Sequence, residues 1–171
     1  MALLQCKVIV AYINSTQIAS SISCIPGGRS WIFAHGYGRG FGGVTRLSLK
    51  YNLPFTAIIV SYKGMAIEIA QVLVDTGSAS TILSADVVAG IKIVPSPEDV
   101  LYSIGGIGGS EAVFSRRADY LQVGEHTIAD FEVEIGGMDY GFEINGILGM
   151  DFLRAVGAII NLKEMTIELA G

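Results

Sequence analysis

The chain has 171 residues, the size of one domain or of one domain with a tail. Hydrophobic residues make up 51% of it, which excludes wholesale disorder, and 22 glycines against four prolines point to tight turns between short elements. A formal charge of −5 counts against a nucleic-acid partner, and no apolar run reaches the ~18 residues of a membrane span.

Composition changes near residue 45. Residues 1–45 carry three basic residues (Lys7, Arg29, Arg39), no acid, both cysteines (Cys6, Cys24) and the sole tryptophan, Trp31. Residues 46–171 hold the other eight basic residues and all sixteen acids, a net −8. Two regions are expected: a poorly ordered extension or linker over 1–45, including an over-long start or a pro-segment as options, and a folded domain over 46–171. The apolar stretch Val8–Tyr12 is too short for a secretory signal, and Ser21-Ile22-Ser23-Cys24 is a poor lipoprotein box because Ser21 stands where a branched apolar residue belongs. Reduced thiols and a cytoplasmic location are therefore expected. The tract Gly36–Gly43 has one arginine and reads as a linker rather than an RNA-binding segment.

From Tyr51 the hydrophobic period is mostly two, which predicts strands. Phe55–Tyr62, a turn at Lys63-Gly64 and a run from Ala66 to Ile69 predict a hairpin. Val72-Leu73-Val74 predicts a strand buried on both faces. Ser84 is a candidate cap for a short helix at 85–88. Ala112–Phe114 and Tyr120–Val123 are predicted strands flanking Arg116-Arg117, with a turn at Gly124-Glu125. Phe131, Val133 and Ile135 alternate with Glu132 and Glu134, and Ala158–Leu162 pairs with Thr166–Leu169. Some seven short strands with at most two small helices imply an all-β barrel or sandwich.

Three segments carry chemistry. Asp75-Thr76-Gly77-Ser78 ends the apolar run with a carboxylate followed by a hydroxyl, a glycine that lets backbone come close, and a second hydroxyl. Burial disfavours a carboxylate's charge and hydrogen bonds to the anion favour it. Alone, the triplet reads more readily as a turn closing a hairpin, because the tripeptide is common. Tyr102–Ser110, with four glycines around Ile107, forms a hairpin tip suited to covering a cleft, or a plain surface hairpin. No Lys-Ser/Thr follows it, as a phosphate loop would need. Asn145–Leu153 reads alone as a buried strand meeting a helix.

Together, in this order, the three resemble the retropepsin-like aspartic proteases over about Leu49–Leu169. Asp75-Thr76-Gly77 matches the catalytic triplet. Ile104, Gly105, Gly106, Ile107, Gly108 and Gly109 resemble the flap of retroviral enzymes, and Ile147-Leu148-Gly149 matches the element that supports the active-site loop. The flap and the Gly149–Leu153 helix resemble a bacterial or retroelement-like branch. The resemblance implies a closed acid-protease barrel with a glycine-rich flap and one or two short helices. It also implies an aspartic endopeptidase acting on polypeptides with apolar side chains around the cut.

One triplet per chain implies a homodimer, because two carboxylates must share one proton. By resemblance, Thr76 bonds across the dimer and the Ser78 hydroxyl reaches the outer oxygen of Asp75. No cofactor or metal is implied, and His35 and His126 lack partners at ligand spacing. Asp151 departs from the viral pattern, with Arg154 or Arg117 as candidate partners. So does the terminal 158–169 hairpin, which leaves the dimer sheet open. The competing reading is a non-catalytic dimerisation or peptide-binding module on the same fold.

Overall fold

The computed structural model describes residues 43–106 and 109–169. The expectations for Cys6, Cys24, Ser21–Ser23, His35, the glycine tract up to Gly42, and Ile107 and Gly108 lie outside the described residues. The strands are β1 (Val44–Arg46), β2 (Ser48–Lys50), β3 (Leu53–Tyr62), β4 (Met65–Val74), β5 (Ile82–Ser84), β6 (Tyr102–Gly106), β7 (Gly109–Val123), β8 (His126–Gly136), β9 (Gly146–Leu148), β10 (Ala158–Asn161) and β11 (Thr166–Leu169). Two short α-helices are α1 (Ala85–Val88) and α2 (Met150–Ala155), and a 3-10 turn at Ala89–Ile91 follows α1.

Tight turns set the first hairpins. Tyr51 and Asn52 join β2 to β3 with φ of 53° and 61°, and Lys63 and Gly64 join β3 to β4 with φ of 50° and 75°. Two consecutive left-handed residues match the right-handed twist of the flanking strands. The strands then close on themselves. β3 pairs with β4, β4 with β9, β9 with β5, β5 with β8, β8 with β7, and β7 returns to β3 through Val60↔Leu121. The β4–β9 and β5–β8 pairs are parallel, the others antiparallel. This all-β ring is the expected retropepsin-like barrel, and the β6–β7 hairpin projects from it. A separate three-stranded sheet has the order β1-β11-β10, so Val44 and Thr45 join the fold just ahead of the compositional break.

The main core fills the ring with Val60, Val72, Leu83, Leu121, Val133, Leu148 and their neighbours, sealed by Phe152 of α2, whose ring meets Phe131 edge-on at 5.8 Å. Each such side chain contributes about 1.5–3 kcal/mol by leaving water. A smaller cluster of Phe55, Leu73, Ile82, Met138, Ile144 and Ile147 lies on the opposite side of β4 and β9, under the loop of residues 137–145.

Two local expectations are corrected. Residues 109–123 form one strand and not two, because Arg116 and Arg117 point to opposite faces of it and each finds a partner. Arg116 lies 5.1 Å over the Phe114 ring and 2.6 Å from Asp99, while Arg117 bonds Asp130 and Glu132 on β8. Ser84 does stand at the N-cap of α1, but its side chain makes no cap hydrogen bond. Among the described residues, no helix is long and apolar enough to cross a membrane.

Candidate active site

Asp75 follows β4 directly. Val72, Leu73 and Val74 are 0–1% exposed, and they run parallel to β9 with Leu73 opposite Ile147 and Val74 opposite Leu148. The Asp75 N–H continues that ladder onto the Leu148 carbonyl at 3.1 Å. Where β4 stops, the chain turns sharply and the Ser78 N–H closes onto the Asp75 carbonyl at 3.3 Å. Inside this turn the Gly77 N–H donates to Asp75 Oδ1 at 2.7 Å. A Cβ at Gly77 would stand 3.1 Å from the same oxygen, so a side chain there would crowd the carboxylate. Asp75 is 7% exposed.

The loop that carries Asp75 is locked onto the segment after β9. The Met150 and Asp151 N–H groups donate to the Ser78 and Ala79 carbonyls at 2.9 and 3.1 Å. Gly149 passes so close to Ser80 that a Cβ would collide with the Ser80 carbonyl. Thr81, wholly buried, completes the lock. Its N–H donates to Asp151 Oδ2 at 2.8 Å, its hydroxyl donates to Asp151 Oδ1 at 2.7 Å, and the same hydroxyl accepts the Gly149 N–H at 3.1 Å. Asp151 thus pairs with Thr81 and with the Phe152 N–H at 2.7 Å, and not with Arg154 or Arg117. The expectation for Ser78 also changes: its hydroxyl donates to the Ser80 carbonyl at 2.8 Å, while the Gly77 N–H donates to the carboxylate.

The glycine hairpin stands over the second cluster. Gly105 lies opposite Ser110, and Ile104, half-buried, packs on the cluster with Tyr140 and Phe142. Two glutamates, neither of them expected from the sequence, tie the hairpin down. Glu134 of β8 accepts the Ser80 hydroxyl at 2.8 Å and the Tyr102 hydroxyl at 3.1 Å, with Ser115 at 2.7 Å from the same tyrosine oxygen. The foot of the hairpin is thereby joined to the Asp75 loop. Burial raises the Tyr102 phenol above its usual value; the Ser115 hydroxyl works against that and the Glu134 charge adds to it. On β7, Glu111 accepts the Met138 N–H at 2.7 Å and the Tyr140 hydroxyl at 3.2 Å. Burial, then the charges of Glu111 and Asp75, push the Tyr140 phenol up to about 12. Such a group stays protonated, a donor, throughout the physiological range.

The structure brings Asp75, Gly77, Leu148 and Gly149 together, with Thr76 and Ser78 in the same turn and Ile147 one pair below. Ile104 and Gly105 lie on the hairpin above the second cluster, with Gly106 paired to Gly109 nearer its tip. Thr81, Glu111, Glu134 and Tyr140 were missed. The one legible trace of Thr81 is a hydroxyl placed against the apolar run Ile82-Leu83, where burial demands a partner. Among the described residues, no three His, Cys, Asp or Glu side chains are grouped to hold a metal ion.

A family model described as aspartyl protease matches residues 60–152. Among solved structures, the chain is similar to a retropepsin-like aspartic protease from Rickettsia conorii. That match has 16% identity and a TM-score of 0.54, and it covers 73% of this chain and 98% of that one. No curated protein matches.

Proposed function

Because the chain belongs to the aspartyl protease family, we propose that it is an aspartic endopeptidase acting as a homodimer, with Asp75 of each copy at one shared site. The observation that carries this reading is the setting of Asp75: a buried carboxylate at the end of an interior strand, bonded by the Gly77 N–H, on a loop locked at residues 148–151. The chain has one such triplet, and the chemistry needs two carboxylates sharing a proton.

In the proposed reaction a water lies between the two carboxylates. The ionised one takes a proton from the water as its oxygen attacks the scissile carbonyl carbon, while the protonated one gives its proton to the carbonyl oxygen. The tetrahedral diol then collapses: the carboxyl that took the water's proton gives it to the nitrogen as the C–N bond breaks, the other carboxylate takes a proton from one diol hydroxyl, and the acid and amine products leave the pair again sharing one proton. Gly77 keeps Asp75 aimed, and the Leu148–Asp151 lock keeps the loop from drifting. Thr76 is assigned the bond across the two-fold axis, and Ile104–Gly109 are assigned the cover over an extended, apolar-flanked peptide.

The test is cleavage of a peptide panel from acid to neutral pH by the full chain and by Asp75→Asn. Cleavage blocked by statine-like inhibitors and abolished by the substitution supports the reading. A fully active Asp75→Asn chain refutes it, and a wild-type chain that binds peptides without cutting them leaves the binding-module alternative.

A further inference from the structure

The endopeptidase reading accounts for Asp75 and its loop but leaves Glu111 without a task. Glu111 sits on β7 two residues beyond Gly109, half-buried, with its carboxylate facing the backbone of residues 136–140 across 27 residues of sequence. That backbone is open to it only because two glycines stand there. A Cβ at Gly136 would lie 2.9 Å from Glu111 Oε1 and one at Gly137 3.2 Å from it. Into this gap the carboxylate takes two donors, the Met138 N–H on Oε1 at 2.7 Å and the Tyr140 hydroxyl on Oε2 at 3.2 Å. Met138 turns through φ of 59°, which drives its side chain inward to 5% exposure. A charged acceptor bridging two donors is the strong kind of hydrogen bond, and both oxygens are used.

What Glu111 holds is the loop between β8 and β9. At its far end the loop is pinned by Asn145, which bonds the Gln71 carbonyl through its N–H at 3.0 Å and the Ala70 carbonyl through Nδ2 at 2.9 Å. Between the two anchors, Met138, Tyr140, Phe142 and Ile144 cover Leu73 and Ile147, the paired residues just below Asp75. The Tyr140 hydroxyl is near enough to Asp75 to feel its charge. The loop is thus a wall beside the acid, and one of its two anchors comes from the hairpin.

We propose that Glu111 is a positioning residue: its carboxylate ties β7 to the 137–145 loop and so fixes where Tyr140 stands near Asp75 and where Phe142 lies on the cluster beneath, setting how tightly a peptide is held. This rests on the endopeptidase reading, and it assigns Glu111 no part in proton transfer.

The experiment compares Glu111→Ala, Glu111→Gln and Tyr140→Phe with the parent chain, by peptide kinetics and by amide hydrogen exchange at Met138. The alanine variant loses both bonds to a charged acceptor, so KM rises about tenfold or more while kcat stays within about threefold. Glutamine still accepts from Met138 and turns its amide to the tyrosine oxygen, so it recovers most of that loss, and Tyr140→Phe falls between the two. Exchange at Met138 quickens about tenfold or more in Glu111→Ala and little in Tyr140→Phe. Unchanged exchange in Glu111→Ala overturns the tie itself. Faster exchange with an unchanged KM overturns the positioning role, as does a fall in kcat alone. If the parent chain cuts no peptide, the endopeptidase reading fails on its own, and the exchange measurement, repeated in an Asp75→Asn background, still decides whether Glu111 holds the loop.

Discussion

Replacing Thr81 with valine removes one hydroxyl from a wholly buried position and leaves the shape nearly unchanged. That oxygen donates to Asp151 at 2.7 Å and accepts the Gly149 N–H at 3.1 Å, so two bonds disappear and nothing fills their place. A hydrogen bond to a charged group contributes about 1.5–3 kcal/mol, and stranding a buried N–H costs about 1–3 kcal/mol more. Asp151 keeps the Thr81 and Phe152 N–H donors, which holds the combined loss to ~3 kcal/mol. For a domain of this size that corresponds to roughly 10 °C in Tm. Thr81→Ser, which keeps the hydroxyl and loses a methyl, is the control and costs about 1 kcal/mol. Thermal unfolding followed by circular dichroism, at one fixed protein concentration so that any association contributes equally, gives the comparison. Peptide hydrolysis below both transitions should fall further in Thr81→Val than in Thr81→Ser, since the hydroxyl locks the loop that carries Asp75. If Thr81→Val melts within about 3 °C of Thr81→Ser, the lock contributes little and the reasoning is wrong.

Gly149→Ala should prevent folding or lower soluble yield sharply, because its Cβ would collide with the Ser80 carbonyl and backbone on both sides is tied down; a folded variant with wild-type Tm would contradict this. The Asp99 carboxyl is held below 3.8, first by the Ser96 N–H and then by Arg116, so it favours the folded state fully above about pH 4 and loses that contribution as pH falls through its lowered value. Carbon-13 NMR titration should find Asp99 below the ordinary aspartate range in the parent chain and returned towards it in Arg116→Gln; identical titrations would refute the pairing.

Much of this architecture was legible from local pattern. The apolar run 72–74, the Lys63-Gly64 turn, the alternation at 131–135 and the terminal hairpin each report on neighbours a few residues away, and each stands where the pattern predicts. What escaped was non-local. Thr81 meets Asp151 across 70 residues and Glu111 meets Met138 across 27, and no spacing announces such pairs. The parallel β4–β9 and β5–β8 pairings, which bring Gly149 against Ser80, are equally silent. Charge misled at Arg116-Arg117, where two exposed-looking residues break a hydrophobic pattern without breaking the strand, each side chain having partners on its own face. Hydroxyls misled at Ser78 and Ser84: a serine in a turn has several acceptors in reach, and Ser78 takes the Ser80 carbonyl.

The central claim is that one site is built from two chains, and mixing tests it most directly. Wild-type and Asp75→Asn chains carrying different tags are co-refolded at fixed total concentration, and activity is followed against the wild-type fraction. If each site needs an Asp75 from both copies, activity follows the square of that fraction, falling to about a quarter in an equal mixture. A straight line through about one half would mean that each chain works alone, and the shared-site account would be wrong.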